Sequence, residues 1–260
     1  MLRTVSATRY VTPLREGGSV PAIIEADDGQ LYVMKFIGAG QGAKALIAEL
    51  IAGELARVLA LPMPEIVFIQ FDPMIGRSEP NPEIQDILRA SAGLNLGLRY
   101  LSGSLAFDPN ITPTVAQTLA SHIVWFDAYV TNVDRTARNV NMLLWEENLW
   151  LIDHGACLYF HHTWTDYLAR SQSNFPLIKD HVLLPLATNL AEADLTLRPQ
   201  ITPPIIQQIV NLIPTAWLGH EAQFTTPADH RAAYVTYLQR RLESSSQFVQ
   251  EAQRVHAQFV

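Results

Sequence analysis

Two carboxylates and an amide flank one short apolar hairpin. Asp134 and Asn139 lie in a polar loop at 131–139, and Asp153 ends the second of two apolar runs, 141–145 and 149–153, which Glu146-Glu147-Asn148 connects. A loop acid, an amide five residues on and a second acid closing a hairpin are what metal-assisted phosphoryl transfer requires. One acid orients or deprotonates the acceptor hydroxyl, while the amide oxygen and the second acid hold magnesium against nucleotide phosphates. Hard oxygen donors suit Mg2+ and argue against zinc. Either half alone reads as an Asx-rich turn or an unrelated hairpin acid; their placement on both sides of one hairpin carries the functional reading.

Three further features precede them in the chain. Lys35 sits in the β-forming run Tyr32-Val33-Met34-Lys35-Phe36. Alternation puts Val33, Lys35 and Ile37 on one face, where a lysine is costly to bury unless it meets an anion. The chain has only three lysines, which sets Lys35 apart. Glu49 and Glu54 then interrupt an apolar helical stretch together with Arg57. At about 100° per residue they lie on different sides of the helix, so at least one must find a cation and the other is expected at a solvated edge. Helical geometry does not choose between them. The third feature is the turn Gly17-Gly18-Ser19, whose successive backbone N–H groups suit a phosphate cradle.

The elements that must position these residues follow from pattern and punctuation. The first forty residues read as strands, with Asp27-Asp28-Gly29 as a tight turn between 20–24 and 31–36. A glycine-rich connector, 38–42, leads to a helix over 43–60 that stops before Pro62. A strand over 65–71, a helix over 81–92 and an extended segment over 94–101 come next. Thr112-Pro113 reads as a cap and first helical position, opening an apolar helix to about Val130. After the hairpin the chain is mostly helical, with segments at 205–212 and a long last helix from Pro227 to about Gln253 behind a Thr226 cap. No internal repeat and no low-complexity tract is visible.

Composition narrows the function classes. With 260 residues at 29.0 kDa, 48% hydrophobic and 17% charged, the chain can bury a large core and is not disordered. The net charge of −7 and pI near 5.6 lack the basic excess of a duplex-coating protein, so no direct nucleic-acid partner is expected. The single cysteine, Cys157, excludes a disulfide scaffold and suits a reducing cytosol. The first thirteen residues contain no apolar signal core, and the most apolar window, 45–63, carries too many charges for a membrane span. A cytoplasmic protein with no membrane association is the expectation. His154, His161 and His162 lack the helical spacing of a zinc site, and Cys157 reads as a small buried hydrophobe rather than a nucleophile.

The motifs also carry a resemblance. Asp134-Arg135-x-x-x-Asn139 followed by Leu151-Ile152-Asp153-x-Gly155 is similar to the Asp-Arg-His-x-x-Asn and Ile-Asp-Phe-Gly motifs of HipA-like kinase domains, relatives of the phosphatidylinositol-kinase-like atypical kinases. The segment from Glu49 to Arg57 and on through Leu61-Pro62-Met63-Pro64 resembles the helix and exit of the same domains. The resemblance extends from about Pro13 to His161 and departs from the pattern at Thr136, where His is usual, and at His154, where Phe is usual. It implies a two-lobed kinase-like α+β fold, with residues 1–104 as the nucleotide lobe and 105–260 as the catalytic helical lobe. It implies that Lys35 contacts ATP phosphates and pairs with Glu49, under a Gly17-Gly18-Ser19 turn that also faces the nucleotide. Asp134 becomes the catalytic acid, and Asn139 and Asp153 the Mg2+ ligands. A protein Ser or Thr hydroxyl is the expected acceptor, with an unidentified regulatory partner. A pseudokinase or nucleotide-dependent binding module is the alternative.

Overall fold

A computed structural model describes residues 2–14, 20–40, 42–109 and 115–259. Gly17, Gly18 and Ser19, and the expected Thr112-Pro113 helix start, lie outside the described residues. Five strands close into a barrel in the order β1 (Thr4–Pro13), β2 (Ala22–Ala26), β3 (Leu31–Lys35), β5 (Gly93–Arg99), β4 (Ile66–Phe71). Every pairing is antiparallel except β1 with β4. The long strand β1 makes closure possible. It has register shifts at Ala7/Arg9 and Tyr10/Thr12, and such irregularities bend a strand, so its start pairs with β4 while the rest pairs with β2.

Side-chain alternation divides the barrel between two cores. Tyr32 and Met34 of β3 point inward with Ile24, Val67 and Ile69. Phe68, Leu96 and Leu98 belong instead to the larger core, which includes helix α1 (Ala43–Val58). Every residue of α1 from Leu46 to Ala56 is buried, as expected of a helix apolar on nearly all sides. Helix α2 (Pro82–Ala90) adds Ile84 and Leu88 to the barrel core, and the Asn81 side chain caps it.

Beyond the barrel, β6 (Leu105–Ala106), β7 (Met142–Trp145) and β8 (Asn148–Leu151) form a small antiparallel sheet. Glu146 and Glu147 both have positive φ, at 49° and 63°, which is the geometry of a two-residue hairpin turn. Helices α3 (Gln117–Tyr129), α4 (Tyr167–Arg170), α5 (Leu190–Leu197), α6 (Pro203–Asn211), α7 (Pro227–Glu243) and α8 (Ser245–His256) make up the rest, with single-turn 3-10 segments between them.

Two expectations are corrected here. Helix α3 begins at Gln117, because Val115 is buried in the core on the approach and Ala116 is extended, with ψ at 132°. The expected long last helix is two helices that break at Ser244, where φ is −96° and ψ 21°. Ser244-Ser245-Ser246 is a run of residues whose hydroxyls compete for backbone partners. The break lets α8 fold back so that Phe248 meets Trp125 edge-on, with centroids 5.8 Å apart. The same corner buries Arg241, which donates to the carbonyls of Ala128 and Tyr129 at 2.6 and 2.9 Å. Those are the orphan carbonyls at the C-terminus of α3, so Arg241 anchors the point where the 131–139 loop departs.

Candidate active site

Lys35 is the last residue of β3, on the face opposite the inward-pointing Met34. Its Nζ lies 2.7 Å from Asp153 Oδ1 and 3.7 Å from Glu49 Oε2. Burial alone would lower the Lys35 ammonium, but the charges of Glu49 and Asp153 outweigh it and raise it. Burial would likewise raise Glu49; the Lys35 charge, then the ring and backbone N–H of His154, bring it down to about 2. The cluster places the Lys35 Nζ between the side-chain oxygens of Glu49 and Asp153. Of the two helix glutamates, the structure brings Glu49 to Lys35. Glu54 is not at a solvated edge: it is buried, and both its oxygens are held by Arg57, at 3.0 and 2.6 Å.

Asp153 follows β8 and adopts a left-handed φ of 55°, as does Asn141 before β7 with 47°. Asp and Asn tolerate this region best. The two residues bracket the open end of the hairpin, where the Ile152 N–H donates to Asn141 O at 3.0 Å. The Asp153 carboxylate is 38% exposed, so it is open to a ligand on the side away from Lys35.

Asp134 and Asn139 form the second group. The Asp134 N–H donates to Asn132 Oδ1 at 3.0 Å, an Asx turn. Reciprocal backbone bonds between Thr136 and Asn139 close the loop. Asn139 Nδ2 donates to Asp134 Oδ2 at 2.6 Å, and Asn141 Nδ2 donates to the same oxygen at 3.3 Å. Among the described residues the amide oxygen of Asn139 accepts no hydrogen bond and is left for another partner.

Three residues that sequence reasoning did not single out join the two groups. Arg135, 1% exposed, donates through Nε to Asp127 Oδ2 at 2.6 Å, through Nη1 to Asn141 O, and through Nη2 to His154 Nε2 at 2.9 Å. Asp127 on α3 also accepts from Asn132 Nδ2 and from His181 Nε2, both at 2.9 Å. Burial would raise the Asp127 carboxyl, but Arg135 and His181 hold it far below the usual range. A lone acid in the apolar stretch Ile123-Val124-Trp125-Phe126-Asp127 is the signal that marked Glu49, and it marks Asp127 equally. His181 carries no such signal.

Oxygen donors alone make up the Asp134, Asn139 and Asp153 set, which suits a hard cation. Among the described residues no group of three or more His, Cys, Asp or Glu side chains is arranged to hold a metal. A cation at this site must take further ligands from phosphates and water, as magnesium in nucleotide sites does. A separate cavity of about 700 Å3, lined by Arg57, Met63, Ile66, Trp150 and Ile209 among others, includes none of these site residues.

A model of the family described as HipA-like kinase matches residues 8–251. Among solved structures, the Helicobacter pylori proinflammatory kinase CtkA aligns with a TM-score of 0.58 and 13% identity, covering 98% of each chain. The Golgi casein kinase with Mn/ADP bound aligns with a TM-score of 0.46 and 12% identity, over 96% of this chain and 73% of that one. No curated protein matches in sequence. The likeness to CtkA shows a shared kinase-like α+β fold.

Proposed function

The chain belongs to the HipA-like kinase family, and from that premise we propose that this kinase transfers the γ-phosphoryl group of ATP, with Mg2+, to a protein Ser or Thr hydroxyl. The observation that carries the reading is the meeting of Lys35, Glu49 and Asp153, with Lys35 and Asp153 separated by 118 residues in the chain, beside the hydrogen-bonded pair Asp134–Asn139. Chemistry needs a cation for phosphate oxygens, an acid to hold that cation, an acid for metal and an acid for the acceptor. Each has a candidate here.

In this reading Glu49 orients Lys35, whose Nζ turns from Asp153 to the ATP phosphates. That exchange frees the Asp153 carboxylate, which with the Asn139 amide oxygen would hold magnesium. The cation, when bound, neutralises charge on the β- and γ-phosphates. Asp134, steadied by Asn139 and Asn141, accepts the proton of the acceptor hydroxyl as its oxygen bonds to the γ-phosphorus and the β–γ bridging oxygen leaves with ADP. Gly17, Gly18 and Ser19, which lie outside the described residues, are the proposed phosphate cradle on sequence grounds. The lobes divide at 104/105; in support, the last barrel strand ends at Arg99 and Leu105 already pairs with β7. Among the described residues no helix is long and apolar enough to cross a membrane, and a cytoplasmic site of action is part of the proposal.

The test is phosphate transfer from ATP to protein acceptors, including the kinase itself, with magnesium and with chelator, alongside direct nucleotide binding. Magnesium-dependent transfer supports the reading. Nucleotide binding with no transfer to any protein favours a binding module instead, and transfer only to small molecules overturns the acceptor class.

A further inference from the structure

Between the lysine cluster and the catalytic loop stands one imidazole. His154 is fully buried, with its ring edge-on to Phe126 at 5.8 Å between centroids. Its backbone N–H donates to Glu49 Oε2 at 2.9 Å. Its Nε2 lies 2.9 Å from Arg135 Nη2. A guanidinium has donors only, so Nε2 must accept, and the ring proton must sit on Nδ1. Nδ1 itself lies 3.6 Å from Glu49 Oε1. Among the described residues, His154 Nδ1 and Glu49 Oε1 are both buried without a hydrogen-bond partner, and they face each other.

We propose that His154 is a positioning residue that couples the Lys35–Glu49 pair to the catalytic loop through Arg135. Two buried polar atoms a few tenths of an ångström beyond bonding distance are costly to leave apart, and contacts of this kind tighten when substrate binds. Movement of Glu49 with Lys35 toward a nucleotide closes the bond to Nδ1. Through Nε2 the same ring bears on Arg135, which abuts Asp134 in sequence and fixes Asn141 and Asp127. A phenylalanine at this position could fill the space but make neither side-chain bond. The inference rests on the phosphotransferase reading for its effect on turnover, but not for the tautomer or the coupling to Glu49.

The two halves of the ring separate by substitution. An Asn amide reaches as far from the backbone as Nδ1, and a Gln amide as far as Nε2. His154→Asn, keeping the donor to Glu49, should hold the KM for ATP near wild type while kcat falls about tenfold or more, the scale of a small misplacement at a reacting centre. His154→Gln, keeping the acceptor for Arg135, should recover kcat in part while KM rises. His154→Phe should lose both. In nucleotide-affinity measurements, His154→Phe and Glu49→Gln should be non-additive. Nitrogen NMR of the wild-type imidazole should show the proton on Nδ1. Three results would each overturn the proposal: a proton on Nε2, additive losses with Glu49→Gln, or all three His154 variants losing KM and kcat alike in step with thermal stability. Wild type that binds ATP without transferring phosphate would defeat the phosphotransferase reading, while the tautomer and affinity arms would still decide the role of His154.

Discussion

Lys35 and Asp153 neutralise each other at 2.7 Å, and this gives substitution of Asp153 opposite signs under two conditions. Asp153→Ala releases Lys35, so ATP affinity measured in chelator should rise; in magnesium, the same variant lacks a charged ligand, and both affinity and turnover should fall. Lys35→Ala should weaken nucleotide binding in both conditions, because its contact is to phosphate oxygens. Asp134→Ala leaves those contacts alone, so binding should survive while turnover drops by orders of magnitude. Isothermal titration with and without magnesium, paired with turnover assays, reads all three. Equal affinity losses in Asp134→Ala and Asp153→Ala would refute the division of roles. The two glutamates divide in the same way: Glu49→Gln should reduce nucleotide affinity, whereas Glu54→Gln alters the ion pair with Arg57 rather than the lysine cluster and should leave affinity unchanged.

Helix α1 carries Glu49, and its placement depends on how closely it approaches the barrel. Gly53 is the contact point: a Cβ there would stand 2.2 Å from Ile66 Cδ1 and 2.6 Å from Met63 Cε. Replacing a helical glycine by alanine normally gains about 1 kcal/mol. Here overpacking should reverse the sign, and Gly53→Ala should destabilise the fold by about 1–3 kcal/mol in chemical denaturation. The shift should also raise the KM for ATP, since Glu49 lies one turn earlier on the same helix. At the start of α7 a capping box joins Thr226 and Asp229. Thr226→Ala should cost about 1 kcal/mol and spare the KM, which separates loss of stability from displacement of the site.

For the whole molecule, buried ionisable groups set how stability responds to acid. His161, His162 and His230 are all lowered from 6.5, first by burial and then by neighbouring cations such as Lys44. A group lowered in the fold contributes stability above its unfolded value and loses it as pH falls below that value. The first decline should therefore begin below about 6.5, driven by these histidines. A second should follow below the ordinary carboxylate values of 4.5 and 3.8, as Glu49 and Asp127 approach their depressed values and lose Lys35 and Arg135 as partners. Lys35 is raised, so its contribution persists up to its unfolded value of 10.5 and is lost only as pH rises through its higher folded value. Denaturation curves measured at stepwise lower pH should show two slopes, and Glu49→Gln and Asp127→Asn should flatten only the second.

The amino-acid sequence by itself determined what depends on near neighbours. Alternation placed Tyr32 and Met34 opposite Lys35; the apolar run delimited α1 to within two residues of its end; Asp134, Asn139 and Asp153 stood out around the hairpin because their spacing is local. Tertiary structure alone decided the pairing of β1 with β4 to close the barrel and of Arg135 with Asp127 and His154. It also placed beside Lys35 the glutamate that the family resemblance implied, Glu49, between two that helical geometry left open. Packing further fixed the break of the last helix at Ser244, where the serine run is a local cue but the hydrophobic periodicity runs straight through and Phe248 folds back onto Trp125. The physical reason is common to all of these. Periodicity and capping act within a turn or a strand, while the cost of a buried charge is met by whichever partner the folded chain brings within a few ångströms.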